Sequence, residues 1–292
     1  AGMNIAECGS DVQKTELLPR IAAGETLFAY GWTEPDIGAD LGSVKTTAVR
    51  DGGEVVINGA KRFCSGAEIA DYIYALVCSD RDGPRYKNLS FVLIPPHSPG
   101  ITIESIATMG VHGVKTNDVT FSNVRIPADQ IVGGEAGWNR GWDFLTGRGL
   151  DVEKLEVAAI AVGVAAAAVE DAWNYSQERR QFGKPICQYQ SIRHKLAEMQ
   201  TRLHTSRLAL YHACDLVQRG VRAGVETSMA KMVCTEAAKD LALECQTIMG
   251  AYGYVKEFAC ERYVRDSLVL PIFGGSTAIQ LNNIANWMGL PK

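Results

Sequence analysis

The chain has 292 residues, 47% hydrophobic and 21% charged, with a formal net charge of −4, a balance that suits roughly two domains with sizeable cores and argues against disorder. No lysine and arginine run gives the electrostatic footprint for nucleic acid or an anionic membrane surface, and the richest apolar stretch, Val157 to Val169, is short and mostly alanine, unlike a membrane span. Eight cysteines without a CxxC pair, and five histidines without ligand spacing, indicate no metal site and no redox dithiol; the cysteines read as small buried hydrophobes of a reducing compartment.

The chain opens Ala-Gly-Met with no signal-like apolar segment, so its true start is expected upstream. Residues 1–27 carry a helical stretch, Val12 to Leu18, stopped by Pro19, and read as the remnant of an N-terminal helical domain. Residues 28–130 read as a β domain. Val44, Thr46 and Ala48 alternate, Asp51-Gly52-Gly53 is a hairpin signal, and Val55 and Ile57 resume the alternation. Further strands are predicted over Tyr72–Val77, Leu89–Ile94, Ile101–Ile106 and Asp118–Ile126. Short strands separated by turns, with no interleaved helices, predict an antiparallel β-sandwich or barrel.

Residues 131–292 read as helical. Asp151 is an N-cap candidate, and an alanine-rich helix follows. Ile192, Leu196, Met199, Leu203, Ser206, Leu210, Ala213 and Val217 repeat at alternating spacings of four and three, one stripe along a long helix. Helices over Thr227–Met249 and Thr277–Met288 complete the set. The fold class is therefore α+β, a β-sandwich or barrel followed by a C-terminal antiparallel four-helix bundle, which is expected also to form subunit contacts.

Several stretches carry chemistry or plain structure equally well. The loop YGWTEPDIGAD, from Tyr30, offers backbone N–H groups and hydroxyls to a ligand, or is a turn. In QERRQFGKPICQYQ, from Gln177, arginines beside a phenylalanine suit a phosphate or a purine ring, or the helix dipole. Glycines break helices at QTIMGAYG, from Gln246, and at IFGGST, from Ile272, allowing close backbone approach or simple C-caps. Glu153, taken locally, is an acidic residue suited to a first helical turn.

In their order and spacing these stretches resemble the acyl-CoA dehydrogenase flavoprotein family across nearly the whole chain. TEPDIGAD is similar to the family's TEPxxGSD loop, KRFCSGA to its K-x-(W/F) segment, and MGVHGVKTNDVTFSNVRIP to the segment that ends V-x-V-P. ERRQFGKPI resembles R-x-x-F-G, QTIMGAYGY resembles Q-x-x-G-G-x-G, and FGGSTAIQ resembles the terminal YEGTxxIQ. The resemblance implies FAD, held by Tyr30 and Thr33 in the first loop, with Phe63 stacked at the isoalloxazine and Ser65 hydrogen-bonding nearby. It implies that Arg179, Gln181 and Phe182 reach the FAD of a neighbouring subunit, so that the protein is a dimer or tetramer. Main chain at Thr247 and Gly250 and the hydroxyl of Ser276 complete the cofactor set.

Three positions depart from the family pattern: Ala39 replaces a serine, Ala278 a glutamine, and Gly274 the catalytic glutamate of YEGT. A minority of the family, isovaleryl-CoA dehydrogenase among them, carries that base early in the first bundle helix, within L-D-x-E-R. Here the pattern is Leu150-Asp151-Val152-Glu153-Lys154, so the resemblance implies Glu153 as α-proton base. Gly274 then contributes a backbone N–H to the thioester oxygen, and Asp151 and Lys154 touch CoA. The implied reaction is α,β-dehydrogenation of an acyl-CoA to a trans-2-enoyl-CoA, with the reverse reduction or a non-catalytic flavin-binding member as alternatives. Its implied acceptor is an electron-transferring flavoprotein. The implied setting is the bacterial cytoplasm, or alternatively the mitochondrial matrix, with no nucleic-acid or membrane partner.

Overall fold

The computed structural model describes residues 1–291, which gather into two compact units, Ala1–Thr108 with His112–Leu150, and Met109–Val111 with Asp151 onward. The first unit begins with helices α1 (Gly2–Cys8) and α2 (Asp11–Ala22). Ser10 and Gln13 form a capping box at the start of α2. The expected stop at Pro19 does not occur, because α2 runs through it to Ala22. Proline forfeits one helical hydrogen bond, but Leu17 is buried and Leu18 and Ile21 pack beside it, and that burial outweighs the loss. Gln13 fastens the helix further, donating to Asp129 O and Ile131 O at 2.8 Å each and accepting from Gly133 N–H at 3.0 Å.

Seven strands follow: β1 (Phe28–Gly31), β2 (Thr47–Asp51), β3 (Glu54–Lys61), β4 (Tyr72–Cys78), β5 (Leu89–Ile94), β6 (Ile101–Ile106) and β7 (Thr116–Pro127). They form a seven-stranded sheet in the order β1-β4-β2-β3-β7-β6, with β5 also on β4. The predicted Gly52-Gly53 hairpin is present, with Asp51 opposite Glu54. The pairing is not wholly antiparallel as expected. β1 lies parallel to β4, Phe28 opposite Tyr72 through Gly31 opposite Ala75, because the β2–β3 hairpin intervenes and supplies the long crossover a parallel pair needs. β4 and β5 are buried along almost their whole length. Ile73, Ala75, Val77, Val92 and Ile94 enter one core, while Tyr74, Leu76, Leu89, Phe91 and Leu93 enter another that Ile5, Leu17 and Phe144 complete. Residues 1–27 and the short helix α3 (Gly141–Leu145) thus belong to this unit.

The unit boundary falls in the first turn of α4 (Arg148–Glu178). Asp151 is therefore inside the helix and not its cap. A small hairpin, β8 (Arg180–Gln181) and β9 (Lys184–Pro185), links α4 to α5 (Gln190–Gln218). Next come α6 (Gly224–Met249), the short α7 (Cys260–Ser267) and α8 (Thr277–Trp287). The predicted stripe on α5 is the buried one: Leu196, Met199, Leu203, Ser206, Leu210 and Ala213 are all buried. They meet Ala161, Ala165, Ala168 and Ala172 of α4 and Ala230, Cys234, Ala238 and Leu241 of α6 in one core. Small residues on facing helices let the backbones approach closely, which explains the alanine-rich composition of α4 and α6.

Candidate active site

In the first unit, the loop after β1 is organised by a buried ion pair that the sequence did not signal as functional. Lys61 Nζ donates to Glu34 Oε1 at 2.9 Å and to Trp32 O at 3.1 Å. Glu34 also accepts from the N–H groups of Lys45 and Thr46 at 2.7 and 2.8 Å. Burial alone raises a carboxyl pKa, but Lys61 and the two N–H donors outweigh it and hold Glu34 below its ordinary value. The pair fixes Trp32 and Glu34 on either side of Thr33, whose own carbonyl accepts from Arg62 N–H at 2.9 Å. Lys61 follows the core-facing residues Val55 and Ile57 along β3, and a lysine at an inward position was the readable sign of a buried partner.

The segment after Lys61 stays pinned to β7, Cys64 N–H donating to Asn117 O at 2.8 Å. Phe63 adopts φ +61°, a conformation unusual for a bulky residue, and the residue is 56% exposed. Arg62 lies 5.1 Å from the ring centroid. The Ser65 hydroxyl sits 3.2 Å from Thr116 Oγ1 at the surface. Tyr30 stands in β1, edge-on to Trp32 at 5.0 Å.

In the second unit, Glu153 and Gly274 come together. A Cβ on Gly274 would stand 3.8 Å from Glu153 Oε1 and 3.2 Å from Val157 Cγ2; Glu153 and Val157 share one face of α4. Glu153 Oε2 is buried without a hydrogen-bond partner. Burial pushes its carboxyl up to about 7, Glu156 acting in the same direction while Lys154 and Lys231 oppose it. Gly274 and Gly275 both have positive φ, +61° and +79°, and no acceptor among the described residues takes the Gly274 N–H. A base with one buried, unused oxygen, beside an unused backbone donor, suits removal of a proton next to a carbonyl whose oxygen becomes negative.

Asp151 and Lys154, the residues expected at CoA, are turned to each other. Lys154 is 1% exposed, donates to Asp151 Oδ1 at 3.2 Å and lies 4.8 Å from the Trp287 ring centroid. Thr227 Oγ1 donates to the same Asp151 oxygen at 2.8 Å. An ammonium inside a bundle is stable only with such partners, so the structure gives Lys154 a role inside the bundle. Lys231 and Gln280, to which the motifs give no role, flank the Gly274 loop. A lysine on the buried Thr227–Lys231–Cys234 stripe of α6 was again the available sign.

The remaining residues stand apart from Glu153 in kind. Phe182, at φ +50° on the tip of the β8–β9 hairpin, is 94% exposed. Gln181 beside it is exposed, its carbonyl accepting from Tyr189 Oη at 2.8 Å, and Arg179 lies 5.4 Å from the Tyr252 ring. Thr247 is in the last turn of α6, and Gly250 follows at φ +60° with open space where a Cβ would stand. Ser276 caps α8, its Oγ accepting from Ile279 N–H at 3.4 Å, which leaves its O–H as a donor. Exposed rings, an open glycine and surface hydroxyls fit a flat-ringed, phosphate-bearing cofactor such as FAD.

Family models described as acyl-CoA dehydrogenase, middle domain, and acyl-CoA dehydrogenase, C-terminal domain, match residues 29–124 and 139–289. An acyl-CoA dehydrogenase of Bacillus subtilis (strain 168) is 36% identical over 281 residues, 96% of this chain and 73% of that protein. Caffeyl-CoA reductase–Etf complex subunit CarC of Acetobacterium woodii is 33% identical, over 96% of this chain and 73% of its own length. The solved structure of butyryl-CoA dehydrogenase from Megasphaera elsdenii superposes with a TM-score of 0.94 at 30% identity, covering 99% of this chain and 74% of the other.

Proposed function

The chain belongs to the acyl-CoA dehydrogenase family of FAD-dependent oxidoreductases, and from that premise we propose that Glu153 is the base that removes the α-proton of an acyl-CoA thioester. The observation that carries this reading is the Glu153 carboxyl beside Gly274, with one oxygen buried and unpartnered. The family's usual glutamate is absent at Gly274, and a second carboxyl occupies the space next to it.

The chemistry follows from the residues. A thioester oxygen held by the Gly274 N–H polarises the carbonyl and acidifies the α C–H. Glu153 takes that proton as the electron pair moves to form the Cα–Cβ double bond of a trans-2-enoyl-CoA. FAD, when bound, supplies the two-electron acceptor for the hydride that leaves the β-carbon. A carboxyl with a pKa of about 7 is a stronger base than a solvated one and also holds a proton near neutrality, so the same residue serves the reverse reduction. The caffeyl-CoA reductase relative favours keeping that second direction in view.

We propose Tyr30, Thr33, Phe63, Ser65, Thr247, Gly250 and Ser276 as FAD contacts, and Arg179, Gln181 and Phe182 as contacts to the FAD of a second copy. The 94% exposure of Phe182 supports the latter, since a lone chain gains nothing from so large a bare ring. The proposed electron acceptor is an electron-transferring flavoprotein, in keeping with the Etf complex named for the Acetobacterium relative.

The test is anaerobic. The flavoprotein is mixed with butyryl-, isovaleryl-, cyclohexanecarbonyl- and palmitoyl-CoA, and bleaching of the visible flavin band is followed beside Glu153→Gln. One thioester is expected to bleach the parent, with the variant slower by about 10²-fold or more. Equal rates in both proteins would remove Glu153 from the mechanism. Oxidation of the reduced flavin by an enoyl-CoA, without bleaching by any saturated thioester, would assign the reductive direction.

A further inference from the structure

The Gly274 loop is held by a lysine in a costly setting. Lys231 is fully buried, and among the described residues no carboxylate closes an ion pair with it. Its Nζ donates to Gly275 O at 2.8 Å. Gln280, also buried, donates from Nε2 to the same oxygen at 2.9 Å and to Gly274 O at 3.2 Å. Two consecutive glycines are the most permissive backbone a chain can offer, so an unrestrained loop lets the Gly274 N–H swing. Three hydrogen bonds tie back both carbonyls that follow that N–H. At φ +79° a side chain on residue 275 would be strained, and its Cβ would press within 2.6 Å of Gln280 Nε2 and disturb that donor.

A buried ammonium with no direct ion pair disfavours folding unless its bonds do what an apolar side chain cannot. Burial lowers the Lys231 pKa to about 8, with Glu236 and Glu153 opposing it. Its cation in turn favours the ionised form of Glu153. Resting on the reading of Glu153 as base, we propose that Lys231 is a positioning residue for α-proton removal: with Gln280, it clamps the Gly274–Gly275 loop so that the Gly274 N–H faces the thioester oxygen beside Glu153. It touches neither the substrate nor the cofactor and acts through the loop.

Exchange of the substrate α-hydrogen with D2O reads removal and return of the α-proton directly. Parent holoenzyme, Lys231→Met, Gln280→Leu and Glu153→Gln are incubated anaerobically with whichever of the four thioesters the parent accepts, and deuterium uptake is read by mass spectrometry. Methionine fills the lysine's volume without its charge or donor. Lys231→Met is expected to keep its flavin and its KM for the thioester while kcat for exchange falls about tenfold, a fraction of the loss on removing an oxyanion donor outright. Gln280→Leu falls in the same direction by less. A lysine needed only for packing would leave exchange at the parental rate in both variants, or would raise KM alone; either result overturns the proposal. If Lys231→Met loses its flavin, Gln280→Leu decides in the same way. Parental exchange in Glu153→Gln would instead overturn the assignment of the base, so the two failures are told apart.

Discussion

Glu34 accepts two backbone N–H groups and the ammonium of Lys61, whereas Glu153 Oε2, equally out of reach of water, accepts nothing. Each carboxyl lies next to a loop the family resemblance assigns to the reaction, one in each unit. The first is fully satisfied and stays ionised, which makes it a strut for the backbone around Thr33. The second is desolvated and left with its pKa high, which makes it a proton carrier. A carboxyl oxygen withdrawn from water is common to both. What separates structure from chemistry is whether the chain supplies partners for the charge it buries.

The strongest way to break this contrast is to remove the partner that makes Glu34 structural. Glu34→Gln leaves Lys61 buried and uncompensated, and is expected to destabilise the protein by about 3–5 kcal/mol in urea unfolding at pH 7. Because the folded-state pKa of Glu34 is lowered, its contribution is present above its ordinary value of 4.5 and is lost as pH falls through the folded value. The gap between parent and variant should therefore narrow in acid. A variant as stable as the parent at pH 7 would mean that the pair is not a strut.

Glu153→Gln sharpens the contrast from the other side, since it should stabilise. A carboxyl whose pKa rises from 4.5 to about 7 on folding favours the folded state below 4.5 and loses that contribution as pH climbs through 7. Glutamine stays neutral throughout. At pH 8 the variant is expected to be more stable by about 3 kcal/mol, with no difference at pH 4. A variant destabilised at pH 8 would show that Glu153 has a charged partner when folded.

The smallest expected effect lies outside both carboxyls. Phe182→Ser, at a ring that is 94% exposed, should change unfolding stability by less than about 0.5 kcal/mol while weakening flavin retention in a fluorescence titration. Unchanged flavin affinity would remove this ring from the cofactor set.

Much of the fold was legible because it depends on local pattern. The α5 stripe, the Gly52-Gly53 hairpin and the strand limits follow from side-chain period and turn chemistry, which neighbouring residues settle among themselves. The parallel placement of β1 on β4, and the run of α2 through Pro19, were not legible, because both are decided by packing between residues far apart in the chain. β4 and β5 bury both faces, so no alternation revealed which residues enter which core.

Residue order alone is enough for the helical and strand segments, for the motif order that resembles the family, and for the pairing of a glycine at 274 with a glutamate at 153. That the Glu153 carboxyl reaches the space beside Gly274, that Lys154 turns into the bundle, and that Lys61 and Lys231 are buried with different partners is settled in three dimensions. The reason is physical: motif order is a property of one dimension, whereas desolvation and hydrogen-bond satisfaction depend on which distant groups arrive within about 3 Å.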